Sequence, residues 1–262
     1  NSWSGSLSAG NLDVSSAYWL RMTASDVLTG TGYPYNEKRE YHLNPGANLV
    51  SFPSAGSFDV MASLPDDVEG NIRAIIGQGV STINDGSGQW PGSLSSFEGL
   101  KGYWIFSDSE IDFSFNQVAN SGLARIASSE MTDTPSYLEF AQSSQQAFYF
   151  VDEIVLIDGN VEHGDWIVSY CGSTMAGSRQ YSGETVDVPV MGYDGHPSTA
   201  GYCQSGDKPN FRLLKSTTNE MIDLNSEIST WESNGIFLLD NLSETAPVPA
   251  DFSLLSAYPN PF

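Results

Sequence analysis

The stretch QQAFYFVDEIVLIDGNVEHGDWIVSY, residues 145–170, decides the fold class. Ala147–Val151 is a short run of aromatic and β-branched residues, and Trp166–Tyr170 is another. Gly159 and Gly164 punctuate the polar stretch between them. Runs of this composition, bounded by turn residues, read as strands rather than helices. Working outward, Tyr137–Phe140, Val186–Val190, Phe211–Leu214 and Ile236–Leu239 repeat the pattern at the spacing of a sandwich. The sequence therefore predicts an antiparallel β-sandwich, immunoglobulin-like or jelly-roll-like, over 134–242, within a mainly β chain.

The region before it contains an internal repeat. WSGSLSAGNLDVSSAYWL at 3–20 and WPGSLSSFEGLKGYWI at 90–105 share W-x-G-S-L-S, a polar stretch, then Tyr-Trp and an aliphatic residue. The second copy has an upstream half, YHLNPGANLVSFPSAG at 41–56, which reads as a strand from Asn48 to Phe52 after a Pro-Gly turn. A helix is predicted next. Ser63 is its N-cap, Pro65 an early helical position, and Val68, Ile72, Ile75 and Ile76 its apolar face, with Gly77 and Gly79 as stop signals. The expectation is a strand-rich α+β tandem module over 1–116 whose first copy is truncated. A turn-rich linker at 117–133 and a tail at 243–262 flank the sandwich. Because the chain opens on Asn1, the upstream half of the first copy is expected to lie outside this sequence or to come from a neighbouring subunit. The second option makes self-association through the incomplete module an expectation.

Composition narrows the partners. The 262 residues carry 32 acidic against 10 basic side chains, a net charge of -22. Such a chain repels phosphate backbones and anionic lipid surfaces, which argues against nucleic acid and membrane association. No apolar run approaches the roughly 20 residues of a membrane span. Cys171 and Cys203 both sit in Gly/Ser-rich, exposed-looking turns. They predict a disulfide in an oxidising compartment, with two separate thiols as the alternative.

Motifs for catalysis are scarce. His42, His163 and His196 form no metal-binding spacing, and no nucleophile elbow or phosphate-binding glycine loop is present. No catalytic residue and no cofactor is expected. Asp165, Asp187, Asp194 and Asp207 lie near glycines at predicted strand ends. Carboxylates there either cap their own turns, which is the favoured reading, or gather around calcium. Among the six tryptophans, Trp3, Trp19, Trp90 and Trp104 belong to the repeat. Repeat position favours a core or interface role over stacking on a ligand.

These residues carry a resemblance. PGANLVSFPSAGSF, LPDDVEGNIRAIIGQGV and WPGSLSSFEGLKGYWI together resemble a module of very large proteins secreted by Bacteroidetes-like marine bacteria. The later region resembles a β-sandwich module of the same proteins, through Gly164, Asp165 and Ile167, Gly177 and Tyr181, and Gly201, Gly206, Asp207 and Phe211. FSLLSAYPNPF is similar to the opening of the C-terminal sorting domain of type IX secretion cargo, with Tyr258, Pro259, Asn260, Pro261 and Phe262 matching its motif. The resemblance implies a secreted or cell-surface segment without catalytic residues. Its partners would be other extracellular subunits or surface polymers, and its role adhesion or binding. The alternatives are a subunit of an extracellular filament or surface layer, and the accessory C-terminal part of a secreted hydrolase.

Overall fold

The computed structural model describes residues 13, 15–20, 36–116 and 134–245. The chain is mainly β, with several antiparallel sheets in a β-sandwich-like arrangement. The linker at 117–133 and all but the first residues of the 243–262 tail lie outside the described residues.

The first half contains β1 (Tyr41–Leu43), β2 (Gly46–Ser51), β3 (Ser57–Asp59), α1 (Val60–Ser63), α2 (Asp66–Glu69), β4 (Ile72–Ile76), β5 (Ser81–Ile83), β6 (Ser96–Glu98), β7 (Gly102–Ser107) and β8 (Ile111–Phe113). A four-stranded sheet runs β2-β7-β4-β5, with β1–β8 and β3–β6 as separate pairs. Side chains alternate along β7 as the pleat requires. Tyr103 and Ile105 enter a core with Phe52, Leu64, Phe97 and Phe115, whereas Trp104 and Phe106 face the other way. Aromatic rings dominate that core, and Phe52 stacks on Phe97 with centroids 5.2 Å apart.

The helix expected from Ser63 to Ile76 is replaced by two single turns and a strand. Asp59, not Ser63, caps the first turn, its carboxylate accepting from Ala62 N–H at 2.9 Å. The second turn ends at Gly70, and β4 begins at Ile72. The misleading spacing has a physical origin. β4 is irregular against β7 between Ile72 and Ala74, and one extra residue there puts Ile72 and Ile75 on the same face. Ala74 and Ile76 fill the opposite face. A bulged strand buried on both sides thus imitates the apolar spacing of a helix.

The second half is one seven-stranded sheet, β11-β10-β13-β14-β15-β9-β12. Its strands are β9 (Gln146–Val155), β10 (Trp166–Cys171), β11 (Thr174–Gln180), β12 (Val186–Met191), β13 (Asn210–Leu214), β14 (Met221–Asn225) and β15 (Ile236–Glu244). Neighbours are antiparallel except β15 and β9, which are parallel. The sheet rolls until its edge strands meet. Ser169 Oγ on β10 donates to Pro189 O on β12 at 2.7 Å, and Arg179 Nε on β11 donates to Asp187 O at 3.0 Å. A Cβ on Gly177 would lie 1.9 Å from Pro189 O, so only glycine lets the two edges approach. This contact covers edges that would otherwise recruit other strands.

Two expectations in this half need correction. Tyr137–Phe140 is not a strand; Pro135 leads into a single 3-10 turn, Ser136–Leu138. Leu138 alone of that turn is buried, against Trp166, Val168 and Leu214. The cysteines do form a disulfide, Cys171–Cys203, but not on exposed loops: both are buried in the main core. The bond ties the end of β10 to a segment that pairs with Gly192, after β12.

A third apolar cluster joins the halves. Ala74, Ile76, Ile83 and Phe106 meet Phe148 and Phe150 of β9. Ala147, Tyr149 and Val151 on the other face of β9 enter the second half's own core. The run Ala147–Val151 is wholly buried because each of its faces has a core to fill.

Candidate binding surfaces at the junction

Polar groups clasp the β4–β5 turn to the second half. Asp187 is buried, and its Oδ2 accepts from Ser81 N at 3.1 Å, Ser81 Oγ at 2.9 Å and Ser93 Oγ at 2.6 Å. Arg179 Nη2 lies 3.3 Å from the same oxygen and donates to Gly79 O at 2.7 Å. Gln146 closes the clasp, donating to Gly77 O at 3.0 Å and accepting from Gly79 N at 3.3 Å. A buried ion pair with this many hydrogen bonds is satisfied, which is the condition for tolerating it away from water. Asp187 is therefore a fastening residue rather than a cap on its own turn.

A groove of about 920 Å³ opens beside this clasp. Ser93 and Ser95 stand on the first-half wall, and His163, Trp166, Tyr181 and Glu184 on the second. It lies between the two packed halves and is open to solvent. The walls offer aromatic, hydroxyl and amide groups, while Asp187 and Arg179 at its base are already engaged.

A smaller recess of about 260 Å³ lies across the β4–β5 turn, lined by Tyr18, Trp19, Leu100, Trp104 and Gln78 among others. Gln78 borders both spaces. The Ser15–Ala17 backbone brings Tyr18 and Trp19 here by pairing with the outer edge of β2. Ser51 N donates to Ser15 O at 3.1 Å and Ala17 N to Leu49 O at 3.4 Å. Gly102 admits that segment, since a Cβ there would lie 2.1 Å from Ala17 Cβ.

The structure does not gather the other carboxylates singled out in the sequence. Asp165 is buried and accepts from Lys215 Nζ at 2.7 Å, Ser216 N at 2.8 Å and Glu162 N at 2.9 Å. Burial alone would raise its pKa, but the bonds from Lys215, Glu162 and Ser216 outweigh that and hold it below the ordinary carboxylate value. Asp194 accepts from His196 N at 3.1 Å and Thr199 Oγ1 at 2.7 Å, and Asp207 from Gln204 N at 2.8 Å, both in local turns. Among the described residues no group of three or more His, Cys, Asp or Glu side chains is placed to hold a metal ion.

His196 caps the 3-10 turn Pro197–Thr199, its Nδ1 accepting from Ser198 N at 3.2 Å. His42 on β1 meets Asp112 on β8 at 2.7 Å, and that hydrogen bond raises its pKa. The repeat tryptophans divide. Trp90 packs beside the first core, Trp104 beside the junction cluster, Trp19 is 42 % exposed, and Trp3 lies outside the described residues. The motif Tyr258, Pro259, Asn260, Pro261 and Phe262 also lies outside them.

Sequence reasoning missed Arg179, Ser81 and Ser93 as partners of Asp187. Ser81 and Ser93 lie 106 and 94 positions from it, so no local spacing links them. Comparisons with protein-family models, with curated proteins and with solved structures find no match to this chain.

Proposed function

We propose that the chain is a non-catalytic segment of an extracellular protein that acts in adhesion or binding, and that the junction groove grips an extended surface polymer. The observation that carries this reading is the groove itself. Its buried charges and Ser93 fasten the two halves together, which leaves Tyr181 on one wall and Ser95 on the other to meet a ligand. The Cys171–Cys203 disulfide suits an oxidising compartment. Among the described residues no helix is long and apolar enough to cross a membrane. The resemblance of Tyr258–Phe262 to a sorting motif supports export.

The filament alternative has less support. Strand donation needs an open sheet edge, but Ser15–Ala17 of the same chain already pairs with Leu49–Ser51 on the outer edge of β2.

The test is binding of the purified chain to a glycan array and to immobilised cell-surface material, compared with Tyr181→Ala. Wild type should bind at least one polymer, and Tyr181→Ala should weaken that binding by about tenfold, the loss of one stacked aromatic contact. Absence of binding to every polymer would sink the reading.

A further inference from the structure

We propose that the recess bounded by Tyr18, Trp19, Leu100 and Trp104 is a subsite for a neutral pyranose sugar. The inference rests on the reading of the chain as a binding segment, and adds a ligand class and a second contact point.

The internal repeat supplies the first argument. Tyr18, Trp19 and Leu20 correspond to Tyr103, Trp104 and Ile105. Tyr103 and Ile105 are 2 % and 0 % exposed, whereas Tyr18, Trp19 and Leu20 are 40 %, 42 % and 55 % exposed. At the first and third of these positions an apolar side chain fills a core in one copy and stands at the surface in the other, while the tryptophan of each copy lines the recess. Leu100 supplies the second. It is fully exposed and has φ 65°, so one side chain carries both unburied apolar surface and a left-handed backbone that leucine disfavours. It stands in the wall of the same recess. Trp104, also in that wall, keeps a buried indole N–H with no acceptor.

The chemistry of the lining selects the ligand. Flat rings offer apolar faces, and the exposed Gln78 side chain adds an amide group beside them. A pyranose has the complementary form: an apolar C–H face and a rim of hydroxyls. The single charged residue in the lining, Lys101, is paired with Glu98. The net charge of -22 opposes polyanions. A peptide strand fits less well, because Ser15–Ala17 already pairs with the Leu49–Ser51 end of the β2 edge beside the recess.

The experiment uses the full chain and a panel of neutral hexasaccharides built from glucose, xylose, mannose, galactose and N-acetylglucosamine, with polygalacturonate as the anionic control. Binding is read by tryptophan fluorescence and saturation-transfer NMR. At least one neutral hexasaccharide should bind; Trp19→Ala should weaken it about tenfold, as loss of a stacking face. Leu100→Gly should raise the melting temperature, by relieving the left-handed strain, and still weaken binding. Because that variant is stabilised, misfolding cannot account for its weaker binding. Binding that survives Trp19→Ala unchanged overturns the proposal, and so does binding of polygalacturonate alone or of none of the panel. Self-association lost in Trp19→Ala without any sugar bound also overturns it. Binding abolished by Tyr181→Ala but not by Trp19→Ala overturns the recess and leaves the groove reading standing.

Discussion

The two halves reach stability differently. The second rolls its sheet until the edge strands meet, locks a disulfide inside its core, and buries Asp165 against Lys215. The first has short strands, an aromatic core and no disulfide among its described residues, and one face of its four-stranded sheet is apolar. β9 covers that face. The difference teaches that the first half depends on the second. Its sheet is completed by Phe148 and Phe150 on one side of a strand whose other side belongs to the neighbouring core.

The sharpest way to break this asymmetry is Asp187→Ala. The substitution leaves the Arg179 guanidinium and the hydroxyls of Ser81 and Ser93 without their shared carboxylate in a buried place. Removing one partner of a buried ion pair costs about 3–5 kcal/mol. Native-state hydrogen exchange should show the loss chiefly at β4 and β5, while β10 and β13 keep their protection. Uniform loss across both sheets would show that the halves unfold as one unit.

Replacing Cys171 and Cys203 by alanine probes the other side of the comparison. The bond closes a loop across a sequence separation of 32. Loop-closure entropy assigns it about 3–4 kcal/mol. The loss should fall on the second half, and the first half should follow because its covering strand is lost. A chemical denaturation curve followed at both aromatic clusters should therefore show them failing together in this variant. If the first half outlasts the second, it does not depend on that covering strand.

How much of this was legible beforehand follows from the same asymmetry. Strands with a one-sided or two-sided apolar pattern, such as Trp166–Tyr170 and Val186–Val190, are apparent from sequence because burial dictates their composition. β11 and β14 are not. Thr174–Gln180 carries no run of branched or aromatic residues and has Gly177 at its middle, where it must lie against Pro189, and Met221–Asn225 buries only Leu224. β4 reads as a helix because a bulge shifts its phase. The repeat identified Trp19 and Trp104 as counterparts, but could not reveal that one copy is exposed, since exposure depends on what packs there. The buried partners of Asp187 come from the first half, far away in sequence, so its fastening role appears only in three dimensions.

Acid offers a gentler separation of the halves. Asp165, in the second half, is held below the ordinary carboxylate pKa. A group lowered in this way stabilises the fold above its unfolded value, about 4, and that contribution fades as pH falls through the folded value. Asp165→Asn should destabilise the chain at neutral pH by about 1–3 kcal/mol, the range for losing hydrogen bonds to a charged group. It should also flatten the acid limb of the stability profile below about pH 4. An unchanged acid limb would place the acid sensitivity on other carboxylates.

The smallest effect lies in the first half and has the opposite sign. The His42 imidazole is raised in pKa by its hydrogen bond to Asp112, with Asp112 and Glu110 adding attraction for the charged form. A raised group contributes fully below its unfolded value, about 6.5, and the contribution disappears as pH rises through the folded value. The pair is exposed, so the change in melting temperature should be slight and further reduced by salt. NMR titration of His42 should report a midpoint above that of a free imidazole, returning toward it in Asp112→Asn. As pH rises from about 6.5 through the folded value, the β1–β8 pair should lose protection while β10 and β13 do not change, because this interaction ties together two short strands of the first half alone.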